Sequence, residues 1–84
     1  MTREEIQLEI LKIFRDEFEI EDPGLDDNLR DMHGFDSIDV IELLGEIERM
    51  LKSELSQEEK KEALGIRNIN QICDYVESLA KTRG

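Results

Sequence analysis

The chain has 84 residues, of which 22 are acidic and 11 basic, and its formal net charge is −11. This charge argues against a nucleic-acid partner, because such binding depends on cations that neutralise phosphates, and it favours partners with basic surfaces. One cysteine excludes an internal disulfide, and no apolar run approaches the ~18 residues of a membrane span. We therefore expect a single cytoplasmic domain, residues 1–84, that is a monomer and has no membrane segment.

The N-terminal segment predicts a helix from about Thr2 to Glu19. Thr2 and Glu5 have the spacing of a capping box, in which each residue bonds the backbone of the other. Apolar residues follow at helical intervals and form a stripe that predicts a core-facing side, namely Ile6, Ile10, Ile13, Phe14 and Phe18.

Pro23 and Gly24 end this pattern, and residues 20–35 predict a long connection. We expect Leu25, Leu29 and Met32 to hold it against the core, with a short helical turn after Asp22 or Asp26. Residues 16–31 contain eight carboxylates, but no frame supplies the alternating ligands of a calcium loop. No metal site is predicted.

Residues 34–51 predict the central helix. Its apolar side covers about half of the circumference, more than an ordinary surface helix, so it is expected to pack on several neighbours. That side comprises Val40, Ile41, Leu43, Leu44, Ile47, Met50 and Leu51. The polar side comprises Asp39, Glu42, Glu46, Arg49 and Ser53. Ile38 also falls on the polar side, where it is not placed for core packing and is predicted to contact a partner.

Two further helices are predicted after residue 51. Ser56 and Glu59 have the spacing of a second capping box, which starts a short helix that Gly65 ends. Asn68 and Gln71 then open the last helix. Its predicted core side comprises Ile69, Ile72, Cys73, Val76, Leu79 and Ala80. The predicted fold is all-α, with three main helices and one short helix.

Ser37 is the candidate functional residue. Asp36 and Ser37 are both favoured N-caps, so Ser37 is expected near solvent at the positive end of the helix dipole, where an esterified phosphate would be tolerated. A purely structural cap is one alternative. A catalytic nucleophile is another, but His33 is the single candidate base, and nothing in the sequence orients it. We expect His33 to be a solvated loop residue and the chain not to be an enzyme.

The run Asp36-Ser37-Ile38, with Gly34 before it and an acidic, apolar helix after it, resembles the motif of the acyl carrier proteins and their peptidyl-carrier relatives. The resemblance covers essentially the whole chain and implies an acyl-carrier-protein-like four-helix bundle of antiparallel helices. It implies that Ser37 carries a 4′-phosphopantetheine arm, transferred from coenzyme A by a phosphopantetheinyl transferase. The arm would hold acyl intermediates as thioesters for enzymes of fatty-acid, polyketide or related lipid biosynthesis.

The resemblance also implies which residues meet partner enzymes. A face of the second helix would dock onto basic patches of acyl-loading or acyl-processing enzymes, through Asp36, Ile38, Asp39, Glu42, Glu46 and Glu48. Glu48 borders the apolar side, and pairing with Lys52 is its alternative. Attached acyl chains would enter a cleft lined by such residues as Leu44, Ile47, Leu51, Ile69 and Val76, for which ordinary core packing is the alternative.

Three features depart from the family pattern. Met32-His33-Gly34 replaces the usual Leu-Gly, Ile38 replaces the commoner Leu, and the segment before the last helix is longer and contains Lys60 and Lys61. These features favour a specialised carrier over a housekeeping one. The alternatives are a peptidyl or aminoacyl carrier and an unmodified acidic helical adaptor, with a hydrolase third.

Overall fold

The computed structural model of this protein describes residues 1–83, which form five helices and no strand. The helices are α1 (Arg3–Phe18), α2 (Leu29–His33), α3 (Ser37–Leu51), α4 (Gln57–Ala63) and α5 (Ile69–Arg83). The predicted all-α class is confirmed, and four of the helices lie where the sequence places them. The additional helix, α2, is a short one within the connection before α3.

The predicted caps are present, because they depend only on residues three positions apart. Thr2 Oγ1 accepts the Glu5 N–H at 3.2 Å, and Glu5 Oε1 accepts the Thr2 N–H at 2.8 Å. Ser56 and Glu59 make the same reciprocal pair at the start of α4. At α5, Asn68 Oδ1 accepts the Gln71 N–H at 2.8 Å. Each bond satisfies a backbone donor that the first turn leaves unpaired.

The connection between α1 and α3 differs from the prediction in two respects. Asn28, and not Asp22 or Asp26, caps its helical turn, with Oδ1 accepting the Asp31 N–H at 3.0 Å. Leu29 is buried and Leu25 packs on the core as predicted, but Met32 is exposed, so its predicted tethering role is wrong. Leu29 and Met32 lie about 60° apart around the helix axis, but α2 is only five residues long and the core covers Leu29 without reaching Met32.

The core is assembled from one face each of α1, α3 and α5. Its buried members from these helices are Ile6, Ile10, Phe14, Leu43, Leu44, Ile47, Ile69, Ile72, Cys73, Tyr75, Val76 and Leu79. The prediction for Ile41 is wrong, since 68% of this residue is exposed. Ala80 is half-buried, and Tyr75 is a core residue that the helical pattern missed. Among residues 1–83, no helix combines the length and apolar character needed to cross a bilayer.

The ends of the helices are tied together by specific contacts. The Phe14 and Phe18 rings, late in α1, pack on Phe35, just before α3. The backbone N–H of Leu29 donates to the Arg67 carbonyl at 2.9 Å, so the segment before α5 lies beside α2. These contacts bring the start of α3 next to the loop between α4 and α5.

Arg83, at the end of α5, holds the segment between α3 and α4. Its Nε donates to Ser53 Oγ at 2.8 Å, and its Nη2 donates to the Glu54 carbonyl at 2.9 Å. The Nη1 and Nη2 groups also donate to the two carboxylate oxygens of Glu59 at 2.8 and 2.7 Å. These bonds, followed by the Ser56 N–H, lower the pKa of Glu59 to about 2. The first turn of α4 is therefore anchored to α5.

Tyr75 adds a second anchor between α5 and α4. Its hydroxyl donates to the Glu59 carbonyl at 2.6 Å, while its ring is buried in the core. Burial raises the pKa of Tyr75 to about 12, and the nearby Glu59 and Glu62 charges act in the same direction. The hydroxyl is thus a hydrogen-bond donor at neutral pH, and its bond holds α4 against α5.

Candidate functional site

Asp36 is the N-cap of α3, which leaves the hydroxyl of Ser37 free of that role. Asp36 Oδ1 accepts the N–H groups of Ile38 and Asp39 at 3.0 and 3.1 Å. Asp39 Oδ2 accepts the Asp36 N–H at 3.1 Å and completes a capping box. Ser37 is the first residue of the helix and is exposed. The alternative in which Ser37 is only a structural cap is therefore wrong.

Phe35 anchors the segment that precedes Ser37 in the core. It is buried, and its ring centroid lies 5.0 Å from that of Phe14 and 5.2 Å from that of Phe18. The backbone N–H of Phe35 donates to the Leu29 carbonyl at 3.0 Å. This role of Phe35 was not predicted. A hydrophobic staple between the residue before the N-cap, Phe35, and the fourth helical residue, Val40, could have indicated it.

Gly34 supplies the turn between α2 and α3. Its φ of 66° lies in the left-handed region, where residues other than glycine are strained. This conformation ends α2 and sends the chain directly into Phe35 and Asp36. Gly34 thus gives the chain the backbone freedom to turn from α2 into α3.

His33 is the last residue of α2, and its predicted exposure as a solvated loop residue is wrong. Only 24% of its side chain is exposed, and Nε2 lies 3.2 Å from Asp27 Oδ2. Asp27 Oδ2 also accepts the Gly24 N–H at 2.9 Å. His33 therefore fastens α2 to the preceding loop, and among residues 1–83 no hydrogen bond joins it to Ser37. His33 and Ser37 therefore do not form a paired base and nucleophile.

The acidic residues predicted to dock on partners are not equivalent. Asp36 and Asp39 form the capping box, and Glu46 pairs with Arg49 at 3.0 Å. Glu48 is half-buried, and its Oε2 accepts the Leu55 N–H at 2.8 Å. The predicted pairing of Glu48 with Lys52 is absent from the described residues, where Glu48 instead stabilises the loop after α3. Glu42 remains fully exposed.

Exposed apolar side chains surround Ser37. Ile38 is 66% exposed, as its place on the polar side of the helix predicted. Ile41 lies one turn further along α3, and the exposed Leu64 lies at the end of α4. Three large apolar side chains near one serine exceed what scattered surface residues require, and they indicate a contact surface.

Two adjoining clefts lie beside α3. The first, here called the Ser37 cleft, has a volume of about 70 Å³ and is lined in part by Ser37, Arg30 and Arg67. The second, the α3–α4 groove, has a volume of about 320 Å³. Its lining consists of Val40, Ile41, Leu44, Gly45, Glu48, Gln57, Lys60, Lys61 and Leu64. Val40 and Leu64 line both clefts, so the two adjoin at these residues.

Of the residues predicted to line an acyl cleft, Leu44 is the one that lines the α3–α4 groove. Ile47, Ile69 and Val76 are fully buried in the core, and Leu51 packs partly against it. Core packing, the alternative for these four residues, is therefore what the structure shows. Within residues 1–83, no group of three or more His, Cys, Asp and Glu side chains is arranged to hold a metal ion.

Comparison with known proteins gives one match. A family model described as a phosphopantetheine attachment site matches residues 9–76, which is most of the chain. No curated protein and no solved structure matches. The matched residues run from α1 to α5 and include both clefts and the start of α3.

Proposed function

Because the chain belongs to the phosphopantetheine-attachment family, whose domains carry a covalent 4′-phosphopantetheine group, we propose that Ser37 is the attachment residue of an acyl carrier protein. The observation that carries this proposal is the exposed Ser37 hydroxyl at the start of α3, where Asp36 takes over the capping role. The family is a carrier family, so bond-making on the cargo belongs to partner enzymes.

The attachment step itself requires only an accessible hydroxyl on this chain. The Ser37 oxygen bonds to the phosphorus that bears the pantetheine of coenzyme A. The bond from that phosphorus to the adenosine bisphosphate leaving group breaks, and the hydroxyl proton passes to the transferase or to solvent. The product is a phosphodiester, which keeps one negative charge at the N-terminus of α3, where the helix dipole favours it.

The residues around Ser37 fit this group. Arg30 and Arg67 line the Ser37 cleft, and a guanidinium group is well suited to a phosphate oxygen. Neither arginine forms a salt bridge within residues 1–83. Asp36 also lines this cleft, so two guanidinium groups and one carboxylate give it a net positive lining in a chain that is otherwise strongly acidic.

The α3–α4 groove supports an acyl cargo over an aminoacyl one. Val40, Ile41 and Leu44 give it an apolar wall, and its volume lies at the lower end of the range of small-molecule sites. Methylene groups that enter such a groove leave water, which is favourable. We infer that the cargo is an acyl chain of lipid, polyketide or related biosynthesis.

Partner enzymes would meet the surface around Ser37. Ile38 and Ile41 supply exposed apolar contacts, and Glu42 supplies a carboxylate that is not engaged in the fold. A transferase or acyl-processing enzyme with a basic patch beside an apolar one would complement this surface. Glu48 contributes less to docking, because its carboxylate is bonded to the backbone of the loop after α3.

The test is the intact mass of the protein before and after incubation with coenzyme A and a phosphopantetheinyl transferase of broad specificity. We expect a gain of one phosphopantetheine, with no gain in Ser37→Ala. The control variant Ser78→Ala removes an exposed serine of α5 and should be loaded normally. No gain with several transferases, on protein shown to be folded, would leave the unmodified acidic adaptor as the better hypothesis.

A further inference from the structure

Four basic residues of this acidic chain lie around the two clefts. Arg30 and Arg67 line the Ser37 cleft, and Lys60 and Lys61 line the α3–α4 groove. These are four of the 11 basic residues of a chain with 22 acidic ones. The described residues that line these clefts include two carboxylates, Asp36 and Glu48, so four cations face two anions and the lining favours a further anion.

The two lysines that line the groove are not paired with a carboxylate among residues 1–83, so no internal ion pair accounts for their position. Within residues 1–83, neither Lys60 nor Lys61 forms a salt bridge. Glu59, their neighbour in α4, is bonded to Arg83 through both carboxylate oxygens. Glu48, the one carboxylate that lines the groove, accepts the Leu55 N–H.

The position of the lysines relative to Ser37 is also defined. Ser37 lines only the smaller cleft, the lysines line only the larger one, and Leu64 lines both. Lys60 precedes Leu64 by four residues, about one helical turn, so the lysines lie beyond the junction of the clefts as seen from Ser37. Lys60 is half-buried, which strengthens its attraction to an anion relative to a fully solvated lysine.

We propose that the α3–α4 groove selects an acyl cargo that ends in a carboxylate, and that Lys60 and Lys61 bind this carboxylate. The inference rests on the proposed function, since the cargo must be attached through Ser37. The apolar wall takes the methylene groups, and the ammonium groups compensate the charge that would otherwise make burial of a carboxylate unfavourable. An acyl cargo that ends in a methyl group fits the apolar wall equally well, but it has no charged group for the lysines to bind.

The test compares two cargoes of equal carbon count that differ only at the far end. A phosphopantetheinyl transferase attaches the acyl-phosphopantetheine group of octanoyl- or suberyl-coenzyme A to Ser37. Intact mass confirms each product. Hydrogen exchange of the α4 backbone is then measured. We expect about two- to fivefold slower exchange with the suberyl cargo, the effect of one partly exposed ion pair, and a smaller difference at high salt.

Matched variants assign the difference to the lysines. In Lys60→Gln/Lys61→Gln the two cargoes should give equal exchange, with the octanoyl form unchanged from wild type. Lys12→Gln/Lys81→Gln removes the same charge from two exposed residues outside the groove, and it should keep the difference. Circular dichroism checks that both variants are folded.

Two results would overturn the inference. The first is equal exchange of the two cargoes on wild-type protein, and the second is a difference that survives in Lys60→Gln/Lys61→Gln. If the cargoes behave alike and the same double variant slows loading, the lysines contact the loading enzyme instead of the cargo. Absence of any mass gain would be a failure of the proposed function, which this design separates from a failure of the cargo assignment.

Discussion

Replacing Asp36 separates the structural and the docking roles of the residue before Ser37. Asp36→Ala removes the oxygen that accepts the Ile38 and Asp39 N–H groups. Loss of an N-cap costs about 1 kcal/mol, and in a domain of this size that lowers Tm by about 4–8 °C. Asp36→Asn keeps an amide oxygen of equal reach and caps about as well, so we expect its stability within about 0.5 kcal/mol of wild type.

Two assays are needed on the same three proteins. Urea unfolding measures the free energy of unfolding, and the initial rate of phosphopantetheine transfer measures recognition by the transferase. Since the proposed docking surface includes the Asp36 carboxylate, we expect both variants to be loaded about two- to fivefold more slowly, the effect of one exposed ion pair. Glu21→Gln, which removes a carboxylate from the exposed loop after α1, is the control for net charge.

Different results would contradict the expected loss of stability and the expected loss of loading rate. If Asp36→Ala unfolds at the same urea concentration as wild type, the cap does not stabilise α3 as the geometry indicates. If Asp36→Asn is loaded at the wild-type rate, the carboxylate is not part of the docking surface, and Asp36 acts only as a cap. Equal slowing by Glu21→Gln would show that net charge, and not position, governs the rate.

Three other changes test the fold around the site by urea unfolding. Phe35→Ala should cost about 3–5 kcal/mol because Phe35 is buried against two rings, and a loss below about 1 kcal/mol would contradict that packing. Gly45→Ala should stabilise α3 by about 0.5–1 kcal/mol, since an added Cβ meets no atom within 4 Å, and a destabilised variant would contradict this. Glu59 has its pKa lowered to about 2, so the stability it adds is complete above its ordinary value of 4.5 and is lost as pH falls toward 2. As pH falls from 4.5 toward 2, Arg83→Met should therefore lose less stability than wild type. Equal losses in the two proteins would show that the Arg83–Glu59 ion pair does not stabilise the fold.

The local parts of this protein could be predicted from its sequence. The caps at Thr2, Ser56 and Asn68 depend on contacts across three residues, so the spacing of the side chains is enough to identify them. The apolar sides of α1 and α5 follow from helical periodicity in the same way. The motif at Asp36 and Ser37 was likewise sufficient to indicate the family, and the family match confirms that interpretation.

Contacts between distant segments could not be predicted. Periodicity places Ile41 and Leu44 on the same side of α3, but only Leu44 is buried, because α4 stands off from Ile41 and leaves a groove. The His33 contact with Asp27 and the Glu48 contact with Leu55 each join a helical residue to an irregular segment six or seven positions away, where no regular spacing exists. Sequence alone therefore assigned the wrong environment to His33 and the wrong partner to Glu48.

The local geometry at Ser37 was thus determined by the sequence, and its surroundings by the tertiary structure. A capping residue, a serine and a helix start are consecutive in the chain, so their geometry is local. Arg30, Lys60 and Arg67 come from separate segments, and only the tertiary structure makes them line adjoining clefts beside Ser37. The charge of those clefts therefore depends on residues that are distant in the sequence and become neighbours only in the folded chain.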